Sequence, residues 1–248
     1  MDNKAKKYIF WAVILLLVAG LGIAYRAGYR IGAFGVGKLG TVEITLPLSN
    51  TTVFVDMSLR ITTTKDNQTL DILLTPAMHQ VIVSYPVHYP WTKKFVLGSG
   101  QKIILNPIIV DQNVSGEIIT QKDFQYWTLK NQVTSDKLPT KDAPKVSADG
   151  ITKIWIDDNI IFAKVGDRDI TQVLAPEPII KNVSFYADRS DAVLFSAGDS
   201  VFVIEVDNDS AHIQNIFPVY KGTNPFFIET DPHYIYVIDG ATLMEVVL

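Results

Sequence analysis

The hydrophobic pattern of this chain has two regimes, and the first is unbroken. "YIFWAVILLLVAGLGIAY", Tyr8 to Tyr25, runs 18 residues without a charge. As a helix rising ~1.5 Å per residue it reaches ~27 Å, close to the hydrocarbon thickness of a bilayer. No polar face interrupts the run, so a buried globular helix fits poorly. Lys4, Lys6 and Lys7 precede it; Arg26, Arg30 and Lys38 follow. The run exceeds a usual signal core, so the pattern predicts an uncleaved anchor over a signal peptide cut near Gly22-Ile23-Ala24. Equal basic counts on the two flanks leave the positive-inside rule undecided. The short tail favours a cytoplasmic N-terminus with the remainder outside. Gly20, Ala24, Gly28 and Gly32 recur every fourth residue. On a helix continued through "RAGYRIG" they form one smooth stripe for homodimer packing. Otherwise these glycines simply begin a flexible linker, "GAFGVGKLG".

From Thr41 the period changes to two. "TVEITL", "TVFVDM", "LDILL", "HQVIVSY", "KFVL" and "QKIIL" are short, rich in β-branched and aromatic residues, and separated by Asn, Asp, Pro and Gly turns. Strands at about ten-residue spacing predict a β-sandwich.

The segment from Gly40 to about Val110 resembles a PEGA domain, a small β-sandwich module of bacterial and archaeal surface proteins. The likeness rests on an opening strand ending in Pro47, on "VFVDM" (Val53 to Met57), and on Leu70 to Thr75. "PAMHQVIVSY", Tyr89-Pro90 and the closing "VLGSGQKIIL" complete it. The family's glycine-alanine pair is replaced after Pro47 by Leu48-Ser49-Asn50, and Ala77 stands where glycine is usual. The resemblance implies a surface location.

"TSDKLPTKDAPKVSADG", Thr134 to Gly150, has a linker's composition. Beyond it the chain repeats faintly. Asp191 to Phe195 leads to Asp199 and "VIEV"; forty residues later Asp231 leads to Asp239 and "LMEV". A looser copy runs from Ile151 to Asp167. A strand pair with acidic or glycine turns at a period near 40 is the pattern of a propeller blade. The alternatives are a partial propeller or another β-sheet domain. The expected architecture is all-β behind a transmembrane helix: tail 1–7, anchor 8–25, Gly-rich linker 26–40, PEGA-like sandwich region 41–133, linker 134–150, and propeller-like repeats 151–248.

Charge narrows the partners. The first 40 residues hold six basic and one acidic residue; the rest hold 16 basic and 25 acidic, a net charge of −9. Such a surface repels nucleic acid. With no cysteine, thiol chemistry is excluded. No Walker loop, dinucleotide fingerprint or nucleophile elbow occurs.

Two of the four histidines lie in "TPAMHQVIVSYPVHYP". Alternation places His79 beside Val81 and Val83, and His88 in the following turn, with no second ligand at metal spacing. Both read as architecture. Tyr85, His88, Tyr89 and Trp91 form the candidate binding surface, since an exposed aromatic-proline loop stacks on sugars or prolines. The paired carboxylates read as turn residues, and Asp207 with Asp209 is the candidate calcium site. No cofactor is expected. The sequence thus predicts a non-enzymatic, single-pass surface protein that binds envelope polysaccharide or a protein partner. Its rivals are an extracytoplasmic enzyme with Asp157, Asp191 and Asp231 around one pocket, and a sensor or assembly factor that self-associates through its anchor.

Overall fold

A computed structural model of the chain describes residues 3–32, 35–135, 137–206 and 214–248. It is mostly β, with an apolar N-terminal helix and several separate sheets. By its contacts the chain divides into two compact units, Met1–Val81 with Lys94–Pro107, and Ile82–Lys93 with Ile108–Leu248.

The first unit opens with α1 (Asn3–Arg26). Its segment Lys7–Arg26 has a mean hydropathy of 2.3, and none of that window is buried inside the protein. The helix stops at Arg26 for local reasons. Gly28 takes a positive φ of 88°, which costs glycine little and ends helices readily. Arg30 then folds back, with its guanidinium 3.4 Å from the Tyr25 ring centroid, and donates to the Tyr25 carbonyl at 2.8 Å. A cation at this end complements the helix dipole. The chain continues as a hairpin of β1 (Tyr29–Gly32) and β2 (Gly35–Lys38). This corrects the expected glycine stripe: Gly20 and Ala24 share α1, whereas Gly28 lies in the turn and Gly32 pairs with Gly35.

Next come β3 (Gly40–Leu46), β4 (Thr52–Val55), β5 (Leu59–Thr62), β6 (Gln68–Leu74), β7 (Ala77–Ser84), β8 (Trp91–Leu97) and β9 (Lys102–Leu105). They form sheets ordered β6-β3-β9 and β5-β4-β7-β8. Alternation sets the buried side: Val42, Ile44 and Leu46 of β3 are fully buried, with Val53 and Val55 of β4. Two such sheets fit the expected sandwich. Asp56 and Met57, both at positive φ, make the tight β4–β5 turn. That turn holds His79. Its Nδ1 lies 2.7 Å from Asp56 Oδ2 and its Nε2 2.7 Å from the Thr75 carbonyl. Both partners are acceptors, so whichever ring nitrogen carries a proton has an oxygen to receive it. His79 is a buried fastener between a turn and a strand.

The second unit contains β10 (Gly116–Ile119), α2 (Tyr126–Ser135), β11 (Lys145–Val146), β12 (Thr152–Asp157), β13 (Ile160–Val165) and β14 (Ile170–Leu174). It continues with β15 (Ile180–Tyr186), β16 (Arg189–Ala197), β17 (Ser200–Glu205), β18 (Ile216–Lys221), β19 (Phe226–Asp231), β20 (Tyr234–Asp239) and β21 (Thr242–Val247). Residues 134–150, a linker by composition, thus hold the end of α2 and all of β11. Among the described residues the strands make three four-stranded antiparallel sheets: β11-β12-β13-β14, β15-β16-β17-β18 and β10-β21-β20-β19. The three self-similar segments are the β12–β13, β16–β17 and β20–β21 hairpins, the two central strands of each sheet. Acidic and glycine residues close them: Asp158 and Asn159 sit at positive φ, as do Gly198 and Gly240.

Facing strands supply the cores. Ile154, Ile161 and Ala163 pack with Val183, Phe185, Val193 and Phe195. Tyr126, Leu129 and Val133, spaced along one face of α2, pack on Ile119, Tyr236 and Leu243. Each such side chain contributes at most about 1.5–3 kcal/mol by leaving water. One buried charge is also built in. Glu205 accepts from the Trp91 indole N–H, from Lys93 Nζ at 3.1 Å and from Asn215 Nδ2 at 2.9 Å. Asn215 in turn clasps the backbone of Thr92, accepting its N–H at 3.0 Å and donating to its carbonyl at 2.9 Å. This network seats residues 82–93 in the second unit. Glu205→Ala removes the acceptor they share and is expected to cost about 3–5 kcal/mol in urea denaturation. A loss below ~1 kcal/mol would show that apolar packing alone holds the segment.

Candidate binding cleft

A cleft of about 420 Å³ opens in the second unit, lined by Tyr89, Ile118, Pro218, Tyr220, Met244 and Val246 among others. Tyr89 is fixed by its backbone, whose N–H donates to the Val110 carbonyl at 2.9 Å, while its ring stacks on Phe217 at 5.8 Å. His88 bridges to Asp111, and Gln112 Nε2 donates to the His88 carbonyl at 3.1 Å. The turn residue Val87 carries a φ of 59°, strained for a β-branched side chain. Pro218 sits at a register shift in the β17–β18 ladder, where its missing N–H is tolerated. Tyr220 donates to Asp239 Oδ2 at 3.1 Å; burial, reinforced by that carboxylate, raises its phenol to about 12.

The opposite wall is β10, paired antiparallel to β21 with Gly116 against Val246 and Ile118 against Met244. At Gly116 the strands come so close that a Cβ would collide with the Glu245 carbonyl. Beside it along β10 a second recess of about 300 Å³ is lined by Glu117, Ile118, Ile119, Asp123, Phe124 and Glu245 among others. Glu117 stands directly opposite Glu245 in the ladder, a like-charge pairing that disfavours the strand contact.

A third recess, of about 320 Å³, gathers one residue from an edge strand of each of the three sheets: Lys145 of β11, Ser184 of β15 and Glu229 of β19, with Gln132 of α2. Asn182 of β15 donates to the Phe227 carbonyl of β19, which fixes the strands side by side. Glu229 accepts from the Ala187 N–H at 2.5 Å and from Ser184 Oγ at 3.2 Å. Burial nevertheless pushes its carboxyl up to about 7, against those hydrogen bonds and the nearby Lys145.

Of the four expected binding residues, only Tyr89 lines the cleft. Tyr85 and His88 make an edge contact with each other at 4.5 Å. Trp91 corrects the picture of an exposed aromatic loop: it is 2% exposed, because its indole N–H finds its partner in Glu205. Asp207 and Asp209 lie outside the described residues. Asp157 is exposed at a strand end, Asp191 pairs with Arg189 at 2.8 Å, and Asp231 bonds the His233 backbone at 2.9 Å. None of the three lines the recesses above. Among the described residues no three His, Asp or Glu side chains gather closely enough for a metal ion. Ile118, Met244 and Pro218 escaped the sequence reading because distant strands bring them together. Glu229 did leave a signal, an acidic residue in phase with the core residue Phe227. No family model and no curated protein sequence matches the chain.

Two outcomes follow. Gly116→Val should force β10 off β21, cost about 1–3 kcal/mol as an overpacked contact does, and speed amide exchange at Met244. Unchanged exchange would show that the strand edge tolerates a side chain. For Glu229 the folded carboxyl titrates near 7 and the unfolded one near 4.5. Folding is therefore favoured most below pH ~4.5, and that advantage is lost as pH rises through ~7, on the order of 2–3 kcal/mol in all. Glu229→Gln should remove this loss, so its stability relative to the native protein rises between pH 5 and pH 8. Parallel profiles for the two proteins would place Glu229 in water.

Proposed function

We propose that the chain is a non-enzymatic, single-pass membrane protein whose β units lie outside the cell and bind envelope material or a protein partner at the Tyr89 cleft. One observation carries the anchoring. None of the segment Lys7–Arg26 is buried inside the protein, and an exposed apolar helix of 20 residues suits lipid. The cleft supports the binding role: it is concave, lined by aromatic and aliphatic side chains, and flanked by Ile118 at 67% exposure. In this reading the two-sheet unit is the PEGA-like module, and the three four-stranded sheets are propeller-like blades.

Glu229 favours a second reading, an extracytoplasmic enzyme. A carboxyl poised near 7 beside a hydroxyl and an ammonium suits general acid–base chemistry. The two readings differ in which substitution silences the protein. Blocking Ile118 does so if the cleft binds, and Glu229→Gln does so if the recess catalyses.

The absence of cysteine gives the direct test. Lys141→Cys, at an exposed position, should react with a membrane-impermeant maleimide on intact cells. Reaction only after the membrane is opened would place the β units inside and overturn the surface role. A photo-crosslinking residue at Ile118 should then yield a covalent adduct on intact cells that the same residue at Ile170 does not. Equal adducts at both positions would remove the cleft from the proposal.

A further inference from the structure

The cleft also indicates what it would hold. Among the described residues β10 ends its sheet: β21 pairs with one edge, and no strand pairs with the other. A free edge presents N–H and C=O groups at the spacing that another extended backbone completes. Side chains alternate across it, so the two faces of β10 offer different surroundings. By that alternation Gly116 and Ile118, opposite Val246 and Met244, share one face, and Glu117 and Ile119 the other; Glu117, Ile118 and Glu245 border both the cleft and the second recess.

Both recesses carry the Glu117–Glu245 pair, and they differ in what surrounds it: Tyr89, Pro218 and Val246 in the cleft, Asp123 and Phe124 in the second recess. Glu117, Asp123 and Glu245 line the second recess, and none of its lining residues is basic. Asp123 is already engaged by the Thr120 N–H and hydroxyl at 2.6 and 2.8 Å. Glu117 and Glu245 oppose each other, and a cation between them would relieve that repulsion. Their separation from other ligands does not suit a bare metal ion. A guanidinium or ammonium fits, and Phe124, fully exposed beside them, offers a ring to cover it. Lys221 is the basic residue on the cleft side. The second unit as a whole carries 12 basic and 21 acidic residues, which also draws a basic partner.

Resting on the cleft as the binding site, we propose that the free edge of β10 accepts an extended segment of a protein partner as an added strand. One apolar side chain of that segment enters the Tyr89–Ile118–Met244 cleft, and a neighbouring lysine or arginine lies between Glu117 and Glu245. A polysaccharide lacks both the alternating side chains and the backbone donors this arrangement uses.

The test uses the full chain in detergent micelles and end-capped, fluorescently labelled octapeptides read by anisotropy. Alternating valine-lysine should bind at least about tenfold tighter than alternating valine-glutamate at 0.15 M salt. It should also bind tighter than a valine-lysine peptide of the same composition in two blocks. N-methylation of every second residue should abolish binding, because it removes the edge hydrogen bonds. Glu117→Lys with Glu245→Lys should invert the preference between lysine and glutamate. Glu117→Gln with Glu245→Gln, which relieves repulsion and leaves the fold intact, should level it. Equal binding of the two charged peptides, no binding by either, or a lysine preference that survives both double variants overturns the proposal. If that happens while the Ile118 crosslinker still forms its adduct on cells, the cleft keeps its role and only the added strand falls. If the adduct fails as well, the cleft reading falls with it.

Discussion

The pairing of β10 with β21 is the constraint on which the candidate site depends. It joins Gly116–Ile119 to residues 243–246, more than a hundred positions apart, with two whole sheets between them in sequence, and so carries a large loop-closure cost. Both recesses used above owe a wall to this one ladder, and α2 packs on the same sheet through Ile119 and Leu243. The ladder is also compromised by design: it requires glycine at 116 and sets two glutamates face to face. The strand stands at the open end of a sheet, where one edge of its backbone has no strand partner among the described residues.

Charge is distributed along the chain in the same functional order. Six basic residues flank the apolar helix. The rest of the first unit balances four acidic against four basic residues, so the net −9 belongs to the second unit. The basic flank of the helix, the balanced remainder of the first unit and the acidic second unit thus form three regions of distinct charge. That distribution shortens the search for an encounter with a basic partner and becomes weaker in salt.

Much of this was legible in the sequence, and what was not has a physical cause. The strands of the first unit follow from alternation alone, since Val42, Ile44 and Leu46 must share a face once the period is two. The three central hairpins were visible as a repeat because each closes with the same turn chemistry. Helix α2 was not anticipated. Only Tyr126, Leu129 and Val133 mark its inner face, too few to outweigh the polar composition around them. The helix continuation through Gly28 failed because periodicity in small residues carries no information about φ. The candidate site was least legible of all. Tyr89 was named for its aromatic neighbours, yet its cleft partners come from β10, β18 and β21, and no local pattern announces non-local pairing.

Glu205 and Glu229 show how one residue type can serve two ends within a single fold. Both sit in strands whose neighbours are apolar, so both had to be accommodated away from bulk water. Glu205 is surrounded by an indole N–H, an ammonium and a side-chain amide, and its donors are themselves anchored on Thr92. Such a carboxylate is a structural centre, and its loss is felt as unfolding. Glu229 has a backbone N–H and a hydroxyl, with its ammonium neighbour Lys145 contributing only by proximity. Its charge is therefore undersupported, and its proton is held near 7 by burial. The difference lies in the donors, which can be counted, and not in depth alone. On that ground the polar recess at Glu229 is a place where charge can change under physiological conditions, while the network at Trp91 serves to hold residues 91–93 against β17.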